Sequence, residues 1–200
     1  MVGAAARGAA VALLATASLL VYLGAATFIL RRARARRGER VAEVGGIARW
    51  GPAFAWVPYA ILAFEIGPRI LVPDTVAWIG AALVVGGVLF ALWALAVIGR
   101  HFDLELEAHA DHEVVRGGPY RAMRHPIYSG LIVHTVGAFI ASGNLLFGAG
   151  SLCGTVPLLV ARARIEEELL RRQLGTAYDA YARDVGMLIP FLGRARSIRQ

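Results

Sequence analysis

The chain contains no lysine: all 21 of its basic side chains are arginines. It has a single cysteine, Cys153, which excludes an internal disulfide and any cysteine-based metal site. No His-Glu-x-x-His or paired-cysteine spacing occurs, so a zinc site finds no template, and no Gly-x-Gly-x-x-Gly fingerprint supports a dinucleotide loop. There is no internal repeat, no low-complexity linker and no polar stretch long enough to fold alone.

What the chain has in quantity is apolar length. Its mean hydropathy of +0.59 and 58% hydrophobic content over 200 residues lie outside the soluble range. Apolar runs near Ala9–Leu30, Pro52–Val72, Thr75–Ile98, Ile127–Ala141 and Leu145–Ala161 approach the roughly 20 residues of a bilayer crossing. The last two are short and joined by Ser142-Gly143-Asn144, which reads as a tight helical hairpin. The predicted fold class is all-α: a polytopic membrane bundle of about five transmembrane helices plus a cytoplasmic C-terminal helix. It forms one membrane domain, with three helices in 1–98 and the motif-bearing half in 99–200.

Arginine placement orients the bundle. Only Arg7 precedes the first run, whereas the block Arg31–Arg40 follows it, the reverse of a cleavable signal peptide. With the N-terminus outside, Arg31–Arg49, Arg100–Arg124 and the tail from Arg162 fall on the cytoplasmic side, leaving only Arg7 and Arg69 elsewhere. Arg69 follows Glu65 by one helical turn, a spacing for an ion pair. The net charge of +7 lies in juxtamembrane loops, which suits anionic lipid headgroups better than nucleic acid.

Two segments carry chemistry. Gly117–Gly130 (GGPYRAMRHPIYSG) packs arginines, a histidine, tyrosines and prolines between two apolar runs, a density that marks the rim of a ligand site. Tyr120 and Tyr128 are equally suited to an interfacial aromatic belt, and Arg121 and Arg124 to topology charges. Upstream, His101–Val115 offers three histidines and several carboxylates; without converging ligand spacing, it reads as an acidic loop that balances nearby arginines, and no metal is expected. His134, in the middle of the fourth run, is read as hydrogen-bonding to a neighbouring helix.

The second segment, Ala161–Pro190, opens as an amphipathic helix that breaks at Gly175. Glu167 with Arg171 and Glu168 with Arg172 are i, i+4 pairs of a solvated face, while Arg162 and Glu166 sit at the membrane end, where charge is costly and usually purposeful. Spacing alone leaves both readings open. At 100° per residue, Arg162 and Glu166 lie about 40° apart and Arg162 and Glu167 about 140°, so Glu166 is the expected direct partner.

Taken together, His112–Gly130, Arg162-x-x-x-Glu166-Glu167, Gly175, Tyr178, Tyr181 and Ile189-Pro190 resemble the isoprenylcysteine carboxyl methyltransferase family over the C-terminal half. Three elements, Gly-Pro-Tyr, Arg-His-Pro-x-Tyr and Arg-x-x-x-Glu-Glu, occur in order with family-like spacing. The resemblance implies an integral membrane methyltransferase, with 99–200 its catalytic half, that binds S-adenosylmethionine at the cytoplasmic face. It assigns His112, Val115, Gly118, Tyr120, His125 and Tyr128 to the cofactor pocket. Arg162, Glu166 and Glu167 fall at the reaction centre. Arg124 is a candidate for the cofactor's carboxylate, and a glutamate for its ammonium. Arg116 departs from the family, which often has a small hydroxyl residue there. The implied partner is a lipophilic or lipidated acceptor, entering sideways from the membrane. The wider superfamily also contains phospholipid and thiol methyltransferases, and membrane sterol reductases carry a similar element. The other readings are therefore a nicotinamide-dependent reductase and a non-catalytic lipid-binding protein.

Overall fold

A 33-residue helix, α1 (Val2–Arg34), starts the chain and carries its apolar run Ala9–Ile29 to the arginine block at its end. The computed structural model describes residues 2–34, 40–43, 56–99, 107–109, 114–190 and 192. Beyond α1 lie α2 (Val57–Ala63), α3 (Asp74–Ile98), a 3-10 turn (Gly118–Arg121) and α4 (Pro126–Ser142). They are followed by α5 (Leu145–Leu174) and α6 (Thr176–Asp184). A short antiparallel ladder pairs β1 (Arg40–Glu43) with β2 (Glu107–His109), joining two segments that the sequence marks as loops. The secondary structure of the described residues is otherwise helical, as expected for an integral membrane protein.

Among the described residues, three helices are long and apolar enough to cross a membrane: Ala9–Ile29 within α1, α3 and α5. With 17 residues, α4 is shorter. The run expected as a helix over Pro52–Val72 is different. Its described helix, α2, has seven residues; Glu65 then turns with φ 55° and the chain continues extended. Hydropathy counts side chains and misses this stop, but Pro68 lacks the N–H a helix needs and its ring opposes the carbonyl four residues back. The extended piece instead straps the α4–α5 turn, with Ile70 N donating to Gly143 O (2.9 Å) and Leu145 N to Pro68 O (2.9 Å). The Glu65–Arg69 ion pair forms at 3.7 Å, across this turn rather than along a helix.

The hairpin at Ser142-Gly143-Asn144 is present. Gly143 ends α4 at φ 62°, a left-handed conformation that favours glycine. Fully buried Asn144 caps α5 by accepting from Phe147 N (2.9 Å), and its amide donates to Ile66 O (2.9 Å). α5 then passes without a break through Ala161 into the arginine- and glutamate-rich stretch. One π-helical turn, Ser151–Thr155, interrupts its α-helical pattern.

The core is the antiparallel seam of α3 and α4. A Cβ on Gly80 would come within 2.5 Å of Ala141 N, and one on Gly87 within 2.5 Å of His134 N. Facing them, Gly130 and Gly137 approach Gly87 O and Gly80 O as closely. Small residues let the backbones touch, the means by which helices associate where lipid removes the hydrophobic drive. A buried polar cluster ties α1 and α2 to this pair: His134 Nε2 meets Ser18 Oγ (2.9 Å), His134 Nδ1 meets Tyr59 Oη (2.7 Å), and Tyr59 Oη meets Thr135 Oγ1 (2.9 Å). His134 is thus satisfied between helices. Leu13, Leu20, Trp78, Leu89 and Leu152 point outward, as on a lipid-facing surface.

Candidate functional site

Where α3 ends and α4 begins, Pro126 opens the helix at its first turn, a position that needs no N–H. The residues just before it pair with the chain that returns from α6: Arg124 N donates to Gly186 O (2.8 Å) and His125 N to Met187 O (3.0 Å). Ser129 Oγ adds a bond to Leu188 O (2.6 Å). This clamp fixes Arg124 and His125, 6% and 5% exposed, against the polar end of α5.

Glu167 is the hub. Its Oε1 accepts from Arg124 Nε (2.6 Å) and lies 3.3 Å from His125 Nε2, while Oε2 accepts from Arg171 (3.1 Å). Arg124 Nη1 donates to the carbonyls of Ala182 and Val185, so its guanidinium staples the end of α6 to α5. The i, i+4 pair of Glu167 with Arg171 forms, but the Glu167 side chain is 6% exposed rather than on a solvated face.

Glu166 is different: its side chain is 27% exposed and opens on a cleft. Its Oε2 accepts from Tyr128 Oη (2.8 Å), and Tyr128 Oη accepts from Arg162 Nε (3.0 Å). The expected partnership of Arg162 with Glu166 is therefore made through a phenol. The rings of His125 and Tyr128 stack at 5.5 Å, and His125 Nδ1 lies 3.8 Å from Glu166 Oε2.

The cleft is a half-open depression with about 480 Å³ of empty space, counting the open solvent at its mouth. Val115, Tyr120, Arg124, His125 and Glu166 line it, with Leu170 and Tyr178 on the α5–α6 side. A second lobe of about 320 Å³ shares Tyr120, His125 and Glu166 and adds Tyr128. The structure thus brings together Val115, Tyr120, Arg124, His125, Tyr128, Arg162, Glu166 and Glu167. Gly118 instead takes φ 51° and packs toward α3, where a Cβ would meet Val97 at 2.9 Å. His112 lies outside the described residues, as do the side chains of His101 and His109. Among the described residues, no group of three metal-binding side chains converges.

Several participants carry no role in the sequence reading. Tyr22 of α1 is buried within electrostatic reach of Arg162 and Glu166. Tyr181 Oη donates to Tyr120 O (2.7 Å), and the guanidinium of Arg116 lies 5.2 Å from the Tyr181 ring centre, a contact that a small hydroxyl side chain cannot make. Burial pushes the Tyr181 phenol up to about 12 and also raises Tyr120 and Tyr178, so all three are protonated donors at neutral pH.

Known proteins resemble parts of this chain in sequence and fold. Residues 75–177 match the model of the phospholipid methyltransferase family. A probable protein-S-isoprenylcysteine O-methyltransferase of Oryza sativa subsp. indica is 30% identical over 119 residues, covering 58% of this chain and 62% of the relative. A methanethiol S-methyltransferase of a Pseudomonas strain is 38% identical over 72 residues, covering 36% of this chain and 26% of the relative. Among solved structures, the eukaryotic intramembrane Ras methyltransferase ICMT (isoprenylcysteine carboxyl methyltransferase) superposes with a TM-score of 0.55 at 26% identity. That match covers 75% of this chain and 53% of the other. The chain spans about three-fifths of the length of the rice relative. With the match reaching from the start of α3 to the first turn of α6, more than half of its length, this chain belongs to the phospholipid methyltransferase family.

Proposed function

We propose that the chain is a membrane-embedded S-adenosylmethionine-dependent methyltransferase acting at the cytoplasmic interface on a lipophilic acceptor, isoprenoid-like or lipid. A carboxylate that becomes a methyl ester is the favoured acceptor group. The observation that carries the reading is the Arg162–Tyr128–Glu166 bridge beside the cleft, at the polar end of a membrane-crossing helix.

The residues suit the cofactor. Glu166 supplies a partly exposed carboxylate for an ammonium, and Val115 and Leu170 supply apolar walls for a ring. Tyr120, His125 and Tyr128 complete the pocket, with Gly118 shaping its rim and His112 the remaining member that the resemblance assigns. Arg124 serves by fixing the wall, because its Nε and Nη1 are committed within the protein. When bound, S-adenosylmethionine supplies an electrophilic methyl group. The chain's own part is alignment and exclusion of water. Arg162 holds the acceptor's anionic head by a bidentate pair. A carboxylate is already ionised at neutral pH and needs no general base. Glu167 holds Arg124 and His125 in place for this work.

A thiol or phospholipid acceptor is the second reading, favoured by the likeness to the methanethiol enzyme and by the name of the matching family. Calorimetric titration with S-adenosylmethionine and with NADPH separates methyl transfer from a reductase and from a non-catalytic protein. Mass spectrometry with an isoprenylated cysteine, phosphatidylethanolamine vesicles and methanethiol then identifies the acceptor. Binding of NADPH alone would sink the proposal. The end bearing Arg31, Arg124 and Arg162 belongs on the cytoplasmic side with the N-terminus outside. A cysteine at Gly117 in a Cys153→Ser background should resist an external membrane-impermeant label; labelling from outside would overturn this topology.

A further inference from the structure

Tyr178 lines the cleft from α6, together with Arg124 and His125, and is 3% exposed. Its ring packs with Tyr181, Val114, Leu170 and Leu174, and has the guanidinium of Arg171 5.9 Å from its centre. Its hydroxyl is buried and has no hydrogen-bond partner among the described residues. A buried phenol costs free energy when its donor is left unmet, so such a group in a cleft wall calls for an acceptor from outside the protein. The neighbouring Tyr181, by contrast, spends its hydroxyl on Tyr120 O. The apolar side chains of Val114, Leu170 and Leu174 beside this neutral donor match a ligand part with apolar faces and acceptor atoms on its edge. A nucleoside has that pattern; an amino-acid head, with an ammonium and a carboxylate on a short chain, has no flat apolar face.

We infer that Tyr178 is a ligand-binding residue of this cleft, its hydroxyl donating a hydrogen bond to an acceptor atom on the nucleoside half of the bound cofactor. The inference rests on the S-adenosylmethionine reading above and adds to it a contact that places the nucleoside on the α5–α6 side. Glu166, one turn before Leu170 on the same helix, is then left for the charged amino-acid portion.

Tyr178→Phe removes the hydroxyl and keeps the ring. Thermal unfolding without ligand should occur at or above the wild-type temperature, because no internal hydrogen bond is lost. Calorimetric titration should show affinity for S-adenosylmethionine, S-adenosylhomocysteine and methylthioadenosine reduced by a common factor of about 3–10. Methylthioadenosine keeps the nucleoside and lacks the amino-acid head, so the common factor locates the contact. Unchanged affinity in the variant would overturn the inference, as would a loss confined to the two ligands bearing the head, or a lowered unfolding temperature without ligand. A wild-type protein that binds none of the three would overturn the cofactor reading itself, and the wild-type titration alone distinguishes that failure.

Discussion

Where α3 crosses α4, backbone and small side chains fill the contact; where α4 begins, arginines, a histidine and two glutamates crowd together. The two regions share α4 and obey different constraints. The seam has no room for volume, because each added atom meets a backbone atom of the facing helix. The polar end opens on a cleft, but every buried charge there needs its partner. Shape therefore sets tolerance at one region and electrostatic pairing at the other. Substitutions can test that division.

The largest effect should come from Gly87→Leu, whose Cβ alone would stand 2.5 Å from His134 N. Forcing the helices apart should cost upward of about 5 kcal/mol, so that no folded protein is recovered in detergent. Gly86→Ala, one residue away with nothing within 4 Å of its Cβ, should melt as wild type. Equal behaviour of the two variants would break the comparison at the seam.

Next comes Glu167→Ala, which strands Arg124 in a buried site and should cost about 3–5 kcal/mol in thermal unfolding. Glu166→Gln keeps the shape of a partly exposed group and should change stability by less than about 1 kcal/mol. It should nevertheless weaken S-adenosylmethionine binding in calorimetry. If both variants melt alike, the division of labour between the two glutamates fails.

Arg162→Lys preserves charge and loses the planar fork. Turnover on the true acceptor should drop by roughly 10–100-fold, with cofactor affinity within about twofold of wild type. Loss of cofactor affinity in step with turnover would move Arg162 from the acceptor side to the cofactor side. Smallest of all is Arg172→Ala, which removes a solvated pair with Glu168 at 2.9 Å and should shift stability by no more than about 0.5 kcal/mol.

How far the sequence foretells these regions depends on the range of the interaction. Ser142-Gly143-Asn144 is legible because a left-handed glycine and an asparagine cap are local devices. Gly175 is legible as a break for the same reason, and it carries φ 52° in the structure. The second apolar run misleads because hydropathy does not weigh Pro68 and Pro73 against the backbone bonds they forbid. At the site, the motif residues identify who takes part, and the fold decides with whom. The spacing of Glu167 and Arg171 matches that of the exposed Glu168–Arg172 pair. What buries Glu167 is Arg124, 43 residues earlier, together with the end of α6. The phenol between Arg162 and Glu166 was equally beyond a helical-wheel argument, since it comes from another helix.

The π-helical turn at Ser151–Thr155 gives α5 one residue of slack between its membrane-crossing half and its arginine-bearing half. Deleting Gly154, whose Cβ position opens on empty space, lets that turn tighten to α-helical form with Arg162 still in phase with Tyr128. The same deletion at Leu158, beyond the slack, rotates everything after it by about 100° and turns Arg162 away from Tyr128. Length is thus negotiable on one side of a single turn and strict on the other, so the helix works as a dial whose setting is locked just before its working end.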